Sequence, residues 1–219
     1  MTESADDGPD RDPQRPARLL LAERGALLPI LRRSPAEAFD RPTACPGWSV
    51  RDVLAHCGAA LTRVVDGRLH DFTPDLNEAD VAERRGWPVF GVLAELDRGY
   101  RAAGAVIGPA GGRLDVIALG EWLHGGDVRD ALGEPLAFAS EGFDDACVLL
   151  SAWTREREVP LVQVTLPGAS LSLGVPVPGR PAARLRTDQA TLMRIFAGRP
   201  AGPAGYELSG AAPAELVVF

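Results

Sequence analysis

Leu114, Ile117, Glu121, His124, Val128 and Ala131 recur at steps of three and four, so they form one stripe along a helix. The outer members are apolar, which turns the stripe toward a core, yet a carboxylate and an imidazole sit at its middle. Burying such groups is costly unless each is hydrogen-bonded, paired with a charge or bound to a metal. The chain must therefore fold into a helical assembly whose interior holds partners for Glu121 and His124. Gly125 and Gly126 follow directly, and a mid-helix glycine costs about 1 kcal/mol against alanine. That cost points to close approach of another helix or of a ligand, or else to a kink.

A second helix carries the other half of the argument. Pro42 to Trp48 reads as a turn, and Ser49 opens an S-x-x-D capping box with Asp52 that starts a helix running toward Leu69. Val50, Val53, Leu54, Cys57, Leu61 and Val64 make its apolar stripe, and His56 lies on the edge of that stripe. His70, at the helix end among polar residues, reads as surface. Further helices are expected over Ala17–Arg33, Val89–Ile107, Leu114–Leu132 with Gly133 as terminator, and Phe143–Glu158, with a polar connection over Phe72–Trp87 holding a short helical turn. Short breaks between such helices favour an antiparallel bundle, in which facing helices can build a metal site.

After Pro160 the pattern changes to period two. Leu161–Leu166 and Ser170–Leu173 alternate around Pro167-Gly168, a helix follows over Gln189–Ala197, and short extended pieces lie at Tyr206–Leu208 and Glu215–Phe219. The expected organisation is a disordered tail over 1–15, a helical bundle over 16–158 and a small α+β domain over 159–219. About 60 residues make a marginal independent core, so that last piece is expected to pack on the bundle.

Composition narrows the function. The formal net charge of -7 disfavours a nucleic-acid or anionic-membrane surface and leaves a small molecule as the expected partner. No run approaches the roughly 18 apolar residues of a membrane helix, and the acidic, Pro-rich start lacks the layout of a signal peptide; the expectation is a soluble cytoplasmic protein. All 23 basic residues are arginine, which removes lysine Schiff-base chemistry and the P-loop lysine. Cys45, Cys57 and Cys147 are odd in number and show no C-x-x-C spacing, so reduced thiols are expected rather than disulfides or a thiolate zinc knuckle.

A metal explains the stripe economically. His56 from one helix, with Glu121 and His124 from another, would give two imidazoles and a carboxylate, a set that leaves a coordination position open. Zinc fits this set, and iron, nickel or cobalt would suit it as well. Asp127, one turn after His124, can orient that imidazole or can be an ordinary surface carboxylate. The alternative reading is structural: His56 a satisfied boundary histidine, and Glu121 with His124 an i, i+3 pair worth about 0.2–0.5 kcal/mol.

Cys45-Pro46-Gly47-Trp48-Ser49-Val50-Arg51-Asp52-Val53-Leu54-Ala55-His56 resembles the opening motif of the mycothiol-dependent maleylpyruvate isomerase family, C-P-G-W-T/S-V-R-D-L-x-A-H. His124-Gly125-Gly126-Asp127-Val128-Arg129 with Ala131-Leu132-Gly133 is similar to that family's H-G-x-D-[VI]-R-x-A-L-G, and Thr191–Arg199 looks like its small C-terminal domain. The resemblance implies a mainly α, DinB-like four-helix bundle with a His, Glu, His metal triad, usually zinc, and a sterol-carrier-like α+β domain. His56 and His124 map directly. The family's carboxylate stands four residues before the second histidine, where this chain has Gly120; Glu121, at three, lies on the same helix face.

The expected function is then a metal-dependent enzyme using a low-molecular-weight thiol, mycothiol by resemblance. The thiolate would add to a conjugated bond and leave again, giving isomerisation, or stay attached, giving S-transfer. Arg194 and Arg199 are candidate carboxylate anchors for thiol or substrate, with surface roles as the alternative. The rival class is a non-catalytic bundle that binds a small molecule or a partner without a metal.

Overall fold

The computed structural model describes residues 11–68 and 73–219. His70 and the expected end of its helix at Leu69 lie outside the described residues, as do residues 1–10 of the expected tail. The chain divides into two compact units, Met1–Glu134 and Pro135–Phe219.

The first unit is helical: α1 (Arg15–Arg33), α2 (Val50–Val65), α3 (Pro74–Arg84), α4 (Val89–Ala102), α5 (Gly104–Ile107) and α6 (Asp115–Leu132). Helix α2 packs along α4 and α1 along α6, while α1 also meets α4 and α2 meets α6. Each helix buries an apolar stripe in this arrangement: Leu19, Leu20, Leu27, Leu28 and Leu31 of α1, Val50, Val53, Leu54, Leu61 and Val64 of α2, and Ala118, Leu119, Trp122 and Val128 of α6. Ser49 caps α2 as its sequence demands. Its hydroxyl accepts from Asp52 N at 3.3 Å, and the Asp52 carboxylate accepts from Ser49 N at 3.0 Å. At the far end of α6, Gly133 takes φ +80°, a left-handed position that only glycine adopts without strain.

Three expectations shift here. The polar connection before Trp87 contains the eleven-residue α3 rather than a single turn, because Thr73 caps it, Pro74 sits at its first position, and two ion pairs tie it down. Arg63 reaches Asp80 at 2.5 Å, and the buried Arg84 forks onto Glu95 of α4 at 2.6 and 2.8 Å. The long helix expected over Val89–Ile107 is broken after Ala102 into α4 and α5. Residues 11–15, expected in a tail, belong to the fold: α1 starts at Arg15, and Arg11 pairs with Asp115 at 2.7 Å and donates to Gly108 O at 2.9 Å.

The second unit begins at Pro135, earlier than the boundary expected after residue 158. Its helix α7 (Phe143–Glu156) packs on strand β2 and so belongs with the sheet, and the preceding segment joins it through Phe138, whose ring lies under Arg194 at 4.8 Å. The sheet runs β2–β1–β3–β4, from β1 (Val162–Leu166), β2 (Ala169–Leu173), β3 (Ala183–Arg186) and β4 (Glu207–Ser209). Strands β1 and β2 form the expected hairpin, pairing Val162 with Leu173 and Leu166 with Ala169. β3 runs parallel to β1, so four residues that are too short to stand out in sequence become a central strand. Val162, Val164 and Leu166 turn inward with Leu192, Met193 and Phe196 of α8 (Gln189–Phe196), forming the core of this unit. The terminal Glu215–Phe219 stretch, expected as extended, begins inside a short 3-10 turn over Pro213–Glu215 and contributes no strand.

Candidate functional site

The Pro42–Trp48 turn and the helices α2 and α6 bring the two sequence motifs together within the first unit. Thr43 N and Oγ1 both donate to Trp48 O, at 3.0 and 2.9 Å, and Trp48 N donates to Cys45 O at 3.1 Å, so the turn closes on itself and presents Cys45 inward. The Cys45 thiol donates to the fully buried Asp127 carboxylate at 3.1 Å and lies 3.6 Å from His124 Nδ1. His124 Nδ1 in turn meets Asp127 Oδ2 at 3.2 Å. The orienting contact expected of Asp127 is thus present, and its carboxylate is buried rather than on the surface. Among the described residues, Cys45, His124 and Asp127 are the group whose ligand atoms all lie within 4.8 Å of one another.

His56 stands next to this group. Its ring centroid is 5.2 Å from that of His124, nearly perpendicular, and 5.0 Å from that of Trp48. Its Nδ1 is buried without a hydrogen-bond partner. Burial, with like charge from His124 and Arg63, pushes the imidazole down to about 3, so His56 is neutral around pH 7.

Glu121 points elsewhere. It is buried in the interior of the helical unit, accepts a hydrogen bond from the Cys57 thiol, and lies near the Glu23 carboxylate. Desolvation first, with Glu23 adding to it, holds its carboxyl well above the ordinary range. Glu23 forms a buried ion pair with Arg129. Tyr100 joins this interior polar cluster with a hydroxyl that is buried and unpartnered. The stripe on α6 gives its two polar members different neighbours: His124 meets Asp127 and Cys45, and Glu121 meets Cys57 with its Oε2 buried and without a hydrogen bond. Gly125 explains itself in the same place, because a Cβ there would fall on the Glu23 carboxyl.

Arg194 and Arg199 lie in the second unit, Arg194 over the Phe138 ring and Arg199 donating to Ala197 O at 2.9 Å. The residue that sequence reasoning passed over is Cys45. Its signal was position: it lies in the turn just before the capping box, where the chain must come back against α6.

Residues 20–127 match the family of the mycothiol maleylpyruvate isomerase N-terminal domain. Two solved structures share the fold, the mycothiol-dependent maleylpyruvate isomerase and a mutant of it in which one histidine is replaced by alanine. They are 16% and 13% identical to this chain, cover 93% of it and 96% of their own length, and superpose with TM-scores of 0.53 and 0.55. No curated protein sequence matches the chain. No helix among the described residues is long and apolar enough to cross a membrane.

Proposed function

We propose that this chain, whose residues 20–127 match the mycothiol maleylpyruvate isomerase N-terminal domain family, is a metal-dependent enzyme using a low-molecular-weight thiol, mycothiol. The substrate is a small electrophile that is either isomerised or converted to an S-adduct. The observation that carries the reading is the meeting of both motifs at one corner, with His56 and His124 ring to ring at 5.2 Å and Cys45 and Asp127 against His124. In the same reading the ring of contacts among α1, α2, α4 and α6 is a DinB-like four-helix bundle, and the second unit is the sterol-carrier-like domain.

The donor chemistry fits a divalent cation of zinc type: thiol, imidazole and carboxylate ligands within reach of one another, and an orphaned imidazole nitrogen beside them. A cation held there would favour the thiolate of a bound thiol near neutral pH. The sequence-expected ligand set is His56, Glu121 and His124, in which Glu121 would have to leave Cys57. The chain's own residues prepare the corner. His56 stays neutral and keeps a lone pair, Trp48 covers one face of its ring, and Asp127 fixes the His124 ring by engaging Nδ1. Arg194 and Arg199 are proposed as carboxylate anchors for thiol or substrate.

The rival, a metal-free binding bundle, draws support from Glu121 being occupied by Cys57. Elemental analysis of purified protein separates the two, with wild type expected near one metal per chain and His124→Ala near none. A thiol-adduct assay with a reactive electrophile should then show activity only with the metal-loaded protein. Metal-free wild type that consumes no thiol would establish the rival.

A further inference from the structure

We propose that Glu78 of α3 is a positioning residue for the metal corner, acting through Trp48 to fix the plane of the His56 imidazole. The proposal rests on the metal-dependent reading, with His56 and His124 both among the ligands, and deepens it by naming what aims one of them. A metal-ligating histidine is ordinarily aimed by a hydrogen bond from its second ring nitrogen to a carboxylate, a carbonyl or water. His124 has that partner in Asp127, at 3.2 Å from Nδ1. His56 has none among the described residues, and its Nδ1 is buried and unpartnered. Ring packing is then what orients it. The His124 ring meets it nearly edge-on with centroids 5.2 Å apart, and the Trp48 ring lies against it at 5.0 Å with a tilt of 46°.

An indole holds a neighbouring ring in place only if it is itself held. Trp48 closes the Pro42–Trp48 turn, and its carbonyl accepts from Thr43 N and Oγ1, so its backbone is set while its ring keeps its own rotation. That rotation is fixed by Glu78, whose Oε1 accepts from Trp48 Nε1 at 2.7 Å, a short charge-assisted hydrogen bond. Glu78 comes from α3, 30 residues further along the chain. The two ion pairs Arg63–Asp80 and Arg84–Glu95 clamp α3 to α2 and α4, so the carboxylate is delivered to the indole from an anchored helix. Carboxylate, indole and imidazole thus form a line from α3 through the turn to α2. Glu78 is exposed, and a surface substitution disturbs stability little, so a change in metal affinity on replacing it reports positioning rather than folding.

Two measurements test the proposal: zinc affinity by competition with a chromophoric chelator, and the His56 ring signals in NMR spectra of the metal-free full chain, assigned by their loss in His56→Gln. Far-UV circular dichroism and urea midpoints check that each variant is folded. Glu78→Ala and Trp48→Phe should each weaken zinc about three- to tenfold, less than the roughly 10–100-fold of a directly bonded partner because the link is exposed and passes through a second ring. Glu78→Gln keeps an acceptor oxygen and should stay within about twofold of wild type, and Trp48→Phe/Glu78→Ala should be no weaker than Trp48→Phe alone, since both act through one contact. The His56 signals should move in Glu78→Ala without any metal. Unmoved His56 signals and unchanged zinc affinity in Glu78→Ala, or additive losses in the double variant, would overturn the positioning role. If wild type binds no zinc while the His56 signals of Glu78→Ala still move, the positioning role stands and the metal-dependent reading falls.

Discussion

Gly125→Ala offers the sharpest test of how the interior of the helical unit is built. Helix propensity alone says that replacing a mid-helix glycine by alanine stabilises by about 1 kcal/mol. The structure reverses the sign, because the new Cβ would fall on the Glu23 carboxyl, which is fully buried and paired with Arg129. The Glu23 carboxyl ends a flexible side chain, but that side chain is fully buried, so moving it means leaving Arg129. Breaking a buried ion pair costs about 3–5 kcal/mol. The net expectation is a loss of about 2–4 kcal/mol, which at a urea m-value near 2 kcal/mol/M lowers the midpoint by roughly 1–2 M. Urea melts followed by tryptophan fluorescence and far-UV circular dichroism measure it, read as midpoints because two units need not unfold as one transition. The control is the same substitution in a Glu23→Ala background, where the obstruction is gone and the alanine should now stabilise by about 1 kcal/mol. Equal effects of Gly125→Ala in the two backgrounds would show that the glycine does not make room for Glu23.

Other substitutions read other parts of the fold. Gly99→Ala should destabilise by about 1–3 kcal/mol despite better propensity, because its Cβ would lie 2.5 Å from Leu61 Cβ where α4 meets α2; a raised urea midpoint would refute the close approach. Ser49→Ala should cost about 0.5–2 kcal/mol by opening the capping box of α2, and an unchanged midpoint would mean that the helix begins without it. Arg84→Ala should cost about 3–5 kcal/mol by stranding Glu95, with Arg84→Met/Glu95→Leu recovering most of that loss in the same assay. His56 has a folded-state value of about 3 against an ordinary 6.5, so the unfolded chain takes up the proton first and stability falls as pH drops from about 6.5 toward 3. With chelator present, moving from pH 7 to pH 5 should cost about 2 kcal/mol through this residue, and His56→Gln should remove that part of the slope.

Much of the helical unit was written in local sequence. The Ser49–Asp52 box, the stripes of α1 and α2 and the Gly133 terminator are each decided within a turn or two of chain, where side-chain spacing and capping chemistry act; on α6 the buried face is instead Ala118, Leu119, Trp122 and Val128, and Leu114, Ile117 and Ala131 of the expected stripe are only half-buried. Local signals also gave the β1–β2 hairpin, whose alternation and Pro167-Gly168 turn lie next to each other. They failed at α3 and β3, whose support comes from Asp80 meeting Arg63, Arg84 meeting Glu95, and β3 lying beside β1. They also misplaced α7, which looks like one more bundle helix but packs on β2.

For the site, sequence alone put Glu121 and His124 on one face of α6 and asked for a partner for each, because periodicity fixes the face and desolvation sets the cost; the structure buries Glu121 and leaves His124 half-buried. It could not say which partner each one takes. Glu121 and His124 sit on one stripe, but three residues of helix separate them by about a turn along the axis. Only packing against the rest of the helical unit decided that one meets Cys57 from α2 and the other meets Cys45 from the turn, with Asp127 brought to it on the same helix. Cys45 and His124 are 79 residues apart in the chain, and no pattern of local spacing can report a contact made by the return of a distant turn.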